Sequence, residues 1–397
     1  MVFGSVGGYP TNHHGGGVLR RAVAAVVLAA PMVLVPSSPA AFAAIYRVGV
    51  VSFAAASPTS LTLRWPKASG ARGYLVWKSI HKNMAYRTQA RALSGTAATV
   101  SGLKPGKTYC FQVQGKAGTK LGLRSAVTCH PTIRARGPIA GPAYKVMSFN
   151  ACSKACSGWT RRHQAARNMI RIRQPDVLAA QESSAWRTPP PGYALAHYRS
   201  AKRLFYRTSR FARMRWGAIL MRNTTPGKWA VWVVLRDRNT GKRMVFVSAH
   251  LSPAFAHYPE RAQEVKTLMS RINQINTAGL AVVYAGDFNS HKNRGTYSES
   301  AGFGSQDTVG RTFAAAGYYD SYDLARRLKR NNWSSYGGWS TKPKQSITWG
   351  DHVDHVYVKP SRSNVYRWMN AALYTGSRYS SPIPSDHRPV MAHLYVN

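Results

Sequence analysis

Through the C-terminal two-thirds of the chain, short apolar runs recur that each stop at a polar or acidic residue. "AVVYAG" ends at Asp287, with Asn289 two places on; "YKVMSF" ends at Asn150, "PDVLAAQ" at Glu182 and "KRMVFVSA" at His250. "DHVYV" opens with Asp354, and the last run is preceded by Asp386 and His387. Uninterrupted apolar runs of this length are strands covered on both faces, so they require a layer of structure on either side. Helical spacing supplies the layers. Ala165, Met169 and Ile172 recur in 160–173, and Ala262, Val265, Leu268, Met269 and Ile272 in 259–276, with a further helix expected near 311–330. The turn Arg238–Gly241 joins two of the strands as a hairpin. Mixed strands between helical layers predict an α/β sandwich for residues 144–397.

The acids at those strand ends are scarce. The chain has 55 Lys and Arg against 13 Asp and Glu, a net charge of +42. All 13 acids lie in 144–397, where 38 basic residues less 13 acidic ones leave +25; residues 1–143 carry 17 basic residues and no acid. Such charge draws polyanions, whether nucleic acid, an anionic membrane or an acidic cell-surface polymer, and by itself says nothing about fold. With 44% hydrophobic residues the chain has ordinary material for packed cores, and 397 residues suffice for two of them. A Gly-, Pro- and Ala-rich segment, 134–143, reads as the linker between the two compositions.

Residues 1–43 read as an export signal: Arg20 and Arg21, an apolar stretch from Ala22 to Val35, then Ala41-Phe42-Ala43. A secreted, monomeric protein is the expectation. In such a chain the four cysteines, Cys110, Cys129, Cys152 and Cys156, suggest two disulfides. Three pairings stay open, sequence proximity favouring 110–129 and 152–156, and a four-cysteine zinc site competes. Region 46–133 is all-β. Leu61, Leu63 and Trp65 alternate, as do Tyr109, Phe111 and Val113, around the turn at Pro105-Gly106. Tyr109, six residues after Leu103, stands where a tyrosine corner forms. The region resembles a fibronectin type III domain. That likeness puts Cys110 and Cys129 on paired strands, and it makes the domain a spacer or a binding module for an anionic polymer or membrane.

In 144–397, carboxylates, amides and imidazoles at six strand ends are of the types that build one site. Oxygen ligands such as Glu182, Asn150 and Asp386 suit a hard cation, and an imidazole held by a carboxylate suits activation of water near neutral pH. "SFN", "PDVLAAQE", "SAHL", "AGDFNS", "VDHVYV" and "SDHRPV", in this order, resemble the endonuclease/exonuclease/phosphatase superfamily, on its deoxyribonuclease and sphingomyelinase side. The resemblance implies a four-layered α/β sandwich of two packed sheets and a Mg²⁺-dependent phosphoric ester hydrolase, with Mn²⁺ or Ca²⁺ as alternative ions. It makes Glu182 the principal metal ligand with Asn150 beside it, and Asp386 a metal-side carboxylate. His387 becomes the general base oriented by Asp354, and Asp287 and Asn289 position nucleophile and phosphate. His250 binds the phosphate or protonates the leaving oxygen.

The charge then points to nucleic acid as substrate, with cations and aromatics interleaved in "YRSAKRLFYRTSRFARMRW" (198–216) for backbone contact and base stacking. A phospholipid or sphingomyelin phosphodiesterase is the first alternative, with "NNWSSYGGWSTK" (331–342) as a loop that enters a bilayer. A polyanion- or wall-binding protein on a nuclease scaffold is the second. His355 is expected to be structural, and a disulfide at Cys152 and Cys156 would brace a loop of the site.

Overall fold

A computed structural model describes residues 47–81, 83–133, 142–253, 258–290, 308–344 and 352–396. The expected export segment and most of the 134–143 linker lie outside them. No helix among the described residues is long and apolar enough to cross a membrane.

Two sheets form the C-terminal region. In the first, Ala143–Asn150 and Val177–Gln181 are parallel neighbours, extended by Lys202–Arg207 and Tyr193–Arg199 on one side. On the other side follow Val390–Val396, Ser363–Asn370 and Arg327–Lys329. The second sheet runs Phe211–Arg222, Lys228–Asp237, Arg243–His250, Ala281–Asp287, Asp354–Val358 and Tyr319–Asp320. The two-residue period of a strand assigns each face. Val177 and Ala179 join a core with Val231, Val233, Val283 and Val356 of the other sheet. Leu178 and Ala180 pack with Ala166, Met169 and Ile170 of helix Trp159–Arg173. On the far side, Val265, Leu268 and Ile272 of helix Tyr258–Ile275 and Phe313 of helix Thr308–Ala315 cover the second sheet. Helix, sheet, sheet and helix make the expected four layers.

Two helical expectations change. The inward stripe of Trp159–Arg173 is Arg162, Ala166, Met169 and Ile170, and Ile172 is 48% exposed. A buried arginine on the core face had disguised the phase. The expected helix at 311–330 is broken: Thr308–Ala315 ends before Gly317, whose φ of 79° no helix continues through. A strand, a one-turn helix (Ser321–Leu324) capped by the Asp320 side chain, and strand Arg327–Lys329 follow.

Residues 52–131 form a β-sandwich. One sheet holds Thr88–Leu93, Gly73–Ser79, Thr108–Ala117, Lys120–Arg124 and Thr128–Pro131; the other holds Ser52–Ala56, Leu61–Arg64 and Ala97–Val100. The Tyr109 hydroxyl accepts the Lys104 N–H at 2.9 Å, closing the tyrosine corner. Cys110 and Cys129 are cross-strand partners and form one disulfide; Cys152 and Cys156 form the other. All four thiols are thereby consumed, which sets the zinc alternative aside. The sandwich is more than a spacer on a linker. Ala55 pairs with Arg327, and the Ala56 N–H donates to the Arg326 carbonyl at 3.3 Å, so its three-stranded sheet continues the first catalytic sheet into one of ten strands. A line of rings crosses the seam: Phe53 to His130 at 4.9 Å, His130 to Tyr322 at 5.2 Å, Tyr322 to Trp368 at 4.8 Å.

Candidate active site

Strand register gathers the polar ends. Gln181 lies level with Asn150 in one sheet, and His250, Asp287 and Asp354 lie level in the other. Asn150 spans the gap between the sheets. Its Nδ2 donates to Glu182 Oε1 at 2.8 Å and to Asp287 Oδ2 at 2.9 Å, while its Oδ1 accepts the Cys152 N–H at 3.0 Å. Asn150 thus tethers two carboxylates through its amide nitrogen, and its oxygen, with one of two lone pairs taken by the Cys152 N–H, is the atom it can offer to a cation.

The backbone is bent to make this fit. Cys152, Glu182 and Asn289 have φ of 42°, 44° and 47°, a left-handed conformation uncommon outside glycine. Local bonds hold them: the Ser153 N–H and Oγ both donate to the Glu182 carbonyl, at 2.8 and 2.7 Å. The Asn289 N–H donates to Asp287 Oδ1 at 2.9 Å, and its Nδ2 to the Leu251 carbonyl at 3.0 Å. Gly286 is forced by contact, since a Cβ there would sit 2.3 Å from the Ala249 carbonyl oxygen.

His387 Nδ1 lies 2.9 Å from Asp354 Oδ2, and its Nε2 faces Asp287 Oδ2 across 3.7 Å, a separation that suits a bridging water. Burial alone would depress this imidazole, but Asp354 and Asp287 outweigh it and raise the pKa to about 10. His250 behaves oppositely. Its Nε2 lies 3.5 Å from Asp287 Oδ2 and 3.9 Å from Glu182 Oε1, yet burial, with Lys202 and Lys228 nearby, lowers it to about 4. Burial also pushes Asp287 above the usual carboxylate range.

Two overlapping groups, Glu182–His250–Asp287 and Asp287–Asp354–His387, place ligating atoms within 4.8 Å of one another. Asp354 Oδ1 is buried without a hydrogen-bond partner. Crowded carboxylates with an orphaned oxygen fit a hard divalent cation, and Glu182, 27% exposed, is the one open to solvent. Asp386 joins neither group; its Oδ1 takes the Ser385 hydroxyl at 3.1 Å, and the atoms near it are the sulfurs of the Cys152–Cys156 disulfide. His355 is tied to Asp320 at 2.8 Å and the Ser290 carbonyl at 2.9 Å, away from these groups.

Three residues of the neighbourhood were passed over in the sequence. Lys202, buried and lowered to about 8 by burial and Lys228, stands one strand over from Gln181. Arg162 donates to the carbonyls of Ala151, Cys152, Cys156, Ser157 and Pro384, joining the loop after Asn150 to the loop before His387. The Ser335 hydroxyl accepts the N–H groups of Val353 and Asp354 at 3.0 and 3.1 Å. Hairpin register could have flagged Lys202; nothing local marks the other two. In 198–216, Phe211 is core, while Tyr198 and Trp216 stand out, 56% and 44% exposed, with the Arg203 and Arg213 guanidinium groups 5.4 and 3.7 Å from their ring centres.

A two-sheet sandwich with this cluster at one end defines, by class, a hydrolase of phosphate esters. Residues 147–387 match the Endonuclease/Exonuclease/phosphatase family, and the chain belongs to it. Residues 47–129 match the fibronectin type III domain. Solved structures similar to this chain include an endonuclease/exonuclease/phosphatase from Bacteroides vulgatus (17% identity, 64% of this chain and 100% of that one, TM-score 0.50). Another is a functionally unknown conserved protein from Enterococcus faecalis (16%, 64% and 100%, 0.50). A third is a mannosyl-6-phosphatase from Bacteroides thetaiotaomicron (20%, 63% and 99%, 0.49). At these identities the likeness bears on fold alone. No curated protein matches the chain by sequence.

Proposed function

We propose that the protein is a secreted, divalent-metal-dependent phosphodiesterase that cleaves nucleic acid. The observation that carries the chemistry is the His387–Asp354 pair facing Asp287 across 3.7 Å. Asp354 holds Nδ1–H, leaving Nε2 to take a proton from a water lodged against Asp287. The hydroxide oxygen bonds to phosphorus, the ester bond to the leaving oxygen breaks, and that oxygen takes a proton from solvent water and leaves as an alcohol, while the proton held by His387 returns to solvent. His250, neutral at pH 7, donates an N–H to a phosphoryl oxygen and carries no excess proton for the leaving group. Mg²⁺ held by Glu182, with Asp287 close by, would neutralise phosphoryl charge and offset the field that keeps His387 protonated.

The substrate reading rests on charge. A net +42 suits a long polyanion contacted through many phosphates, where counterion release drives binding. Supercoiled plasmid incubated with the chain should be nicked with Mg²⁺ and left intact with EDTA or by His387→Ala. Absence of nicking by a folded protein that cleaves sphingomyelin would replace this reading with the lipid one.

A further inference from the structure

Beside His387 the segment 335–340 holds two large rings in solvent, Tyr336 at 46% and Trp339 at 49% exposure. The third aromatic of the run, Trp333, is buried against Tyr374 and Tyr379. The expected bilayer loop is therefore half core. Its exposed half is held tightly. Tyr336 forms an antiparallel bridge with His387, and the Gly337 N–H donates to the Asp386 carbonyl at 3.2 Å. The buried Arg388 donates from Nη2 to the carbonyls of Gly338 and Ser340 at 2.9 and 3.0 Å. The Tyr336 ring centre is 4.9 Å from the His387 imidazole, and the Arg162 guanidinium lies 5.0 Å from that of Trp339. Rings on a backbone fixed at this many points need no loop ordering when a ligand arrives.

We infer that Tyr336 and Trp339 form a stacking platform for a nucleobase next to the scissile phosphate, an inference that rests on the nucleic-acid reading above. A ring touching His387 lies about one sugar away from a phosphate attacked there, which is where a nucleoside carries its base. The quaternary ammonium of a choline headgroup would meet the Arg162 cation already at Trp339. Bases inside a duplex are stacked on both faces, so the platform serves unstacked bases and favours single-stranded or locally opened substrate.

The test is equilibrium binding by the full chain carrying Glu182→Gln, a background that touches neither platform ring and should suppress cleavage. Oligothymidylate is compared with an abasic tetrahydrofuran strand of equal length and charge. Stacking is worth roughly 1–3 kcal/mol per base, so Tyr336→Ala and Trp339→Ala should each weaken oligothymidylate by about 5- to 160-fold and the abasic strand by no more than about 2-fold. Tyr336→Phe should bind like the parent, and Trp339→Leu, which keeps apolar bulk without a π face, like Trp339→Ala. Equal losses on both strands, or no loss on either, would overturn the platform. So would rescue by Trp339→Leu together with ring-dependent binding to sphingomyelin vesicles. Plasmid nicking by the unaltered chain separates the two readings: nicking without base discrimination sinks the platform alone, and absence of both nicking and base discrimination sinks both.

Discussion

The fibronectin-like region and the catalytic region obey different rules about charge. The first contains no acid, and its core of Phe53, Leu61, Leu63, Val76 and Phe111 excludes charged groups. Its buried Thr132 hydroxyl is satisfied by the carbonyls of Lys104 and Lys107. The second buries Asp287, Asp354 and His387 within one cluster, at a desolvation cost that a fold alone has no reason to carry. The contrast also holds inside the catalytic region. Asp237 is equally buried, but the Tyr144 hydroxyl at 2.7 Å and Arg210 at 3.0 Å satisfy it, whereas Asp354 keeps an oxygen with no partner. Burial of a scarce carboxylate is thus a weak sign of function; burial with an unmet bond is a stronger one.

The largest expected effects break the site and spare the fold. His387→Ala and Glu182→Ala should each lower turnover about 10²- to 10⁴-fold, with circular dichroism still that of a folded protein. Near-native turnover in either variant would overturn the assignment. Asp287→Asn should also be inactive, yet melt no lower than the parent, because it removes a buried carboxylate beside Asp354. Asp237→Asn should do the reverse. It should keep activity at permissive temperature and lose about 3–5 kcal/mol, the range for breaking a buried pair, read as a lowered urea midpoint. If the two Asp→Asn variants behaved alike, the distinction between satisfied and unsatisfied burial would fail.

Next comes the seam between the regions. The ten-stranded sheet and the ring line through Phe53, His130, Tyr322 and Trp368 make one folding unit of what the sequence presents as two beads. Phe53→Ala should cost about 3–5 kcal/mol and lower the melting of both regions together in a single calorimetric transition. Two separate transitions, with only the smaller moved, would show the regions to be independent. Gly286→Ala should cost about 1–3 kcal/mol by overpacking and also depress activity, since the Cβ displaces the strand just before Asp287.

The layers and most of the cluster were legible because strand periodicity and terminal polar residues are local signals. Asp287, Asp354 and His387 announced themselves at the ends of apolar runs. The amide orientation of Asn150 was not legible, because it depends on the Cys152 N–H that donates to its oxygen. The separation of Asp386 from Glu182 depends on how the loop before His387 turns, and the inward Arg162 on carbonyls as distant in sequence as Pro384. The seam was hidden for the same reason: Ala55 and Arg327 are ordinary residues whose pairing only the folded chain reveals.

The smallest effect compares two imidazoles of the catalytic region, one inside the site and one outside it. His393 is cross-strand neighbour to both Lys145 and Arg367, and burial together with those two cations lowers it from 6.5 to about 4. The unfolded chain therefore binds a proton that the folded one refuses between these values. His393 should contribute to stability fully above pH 6.5 and lose that contribution as pH falls toward 4. For His387 the sign reverses. Raised to about 10, it stabilises the metal-free fold below pH 6.5 and loses that contribution as pH rises toward 10. Melting temperatures of metal-free protein across this range should fall on both sides. His393→Gln should flatten the acid limb by on the order of a few degrees, and His387→Ala the alkaline one. An acid limb unchanged in His393→Gln would mean that the loss comes from carboxylates instead, and the flanking cations would then be too well solvated to hold the ring neutral.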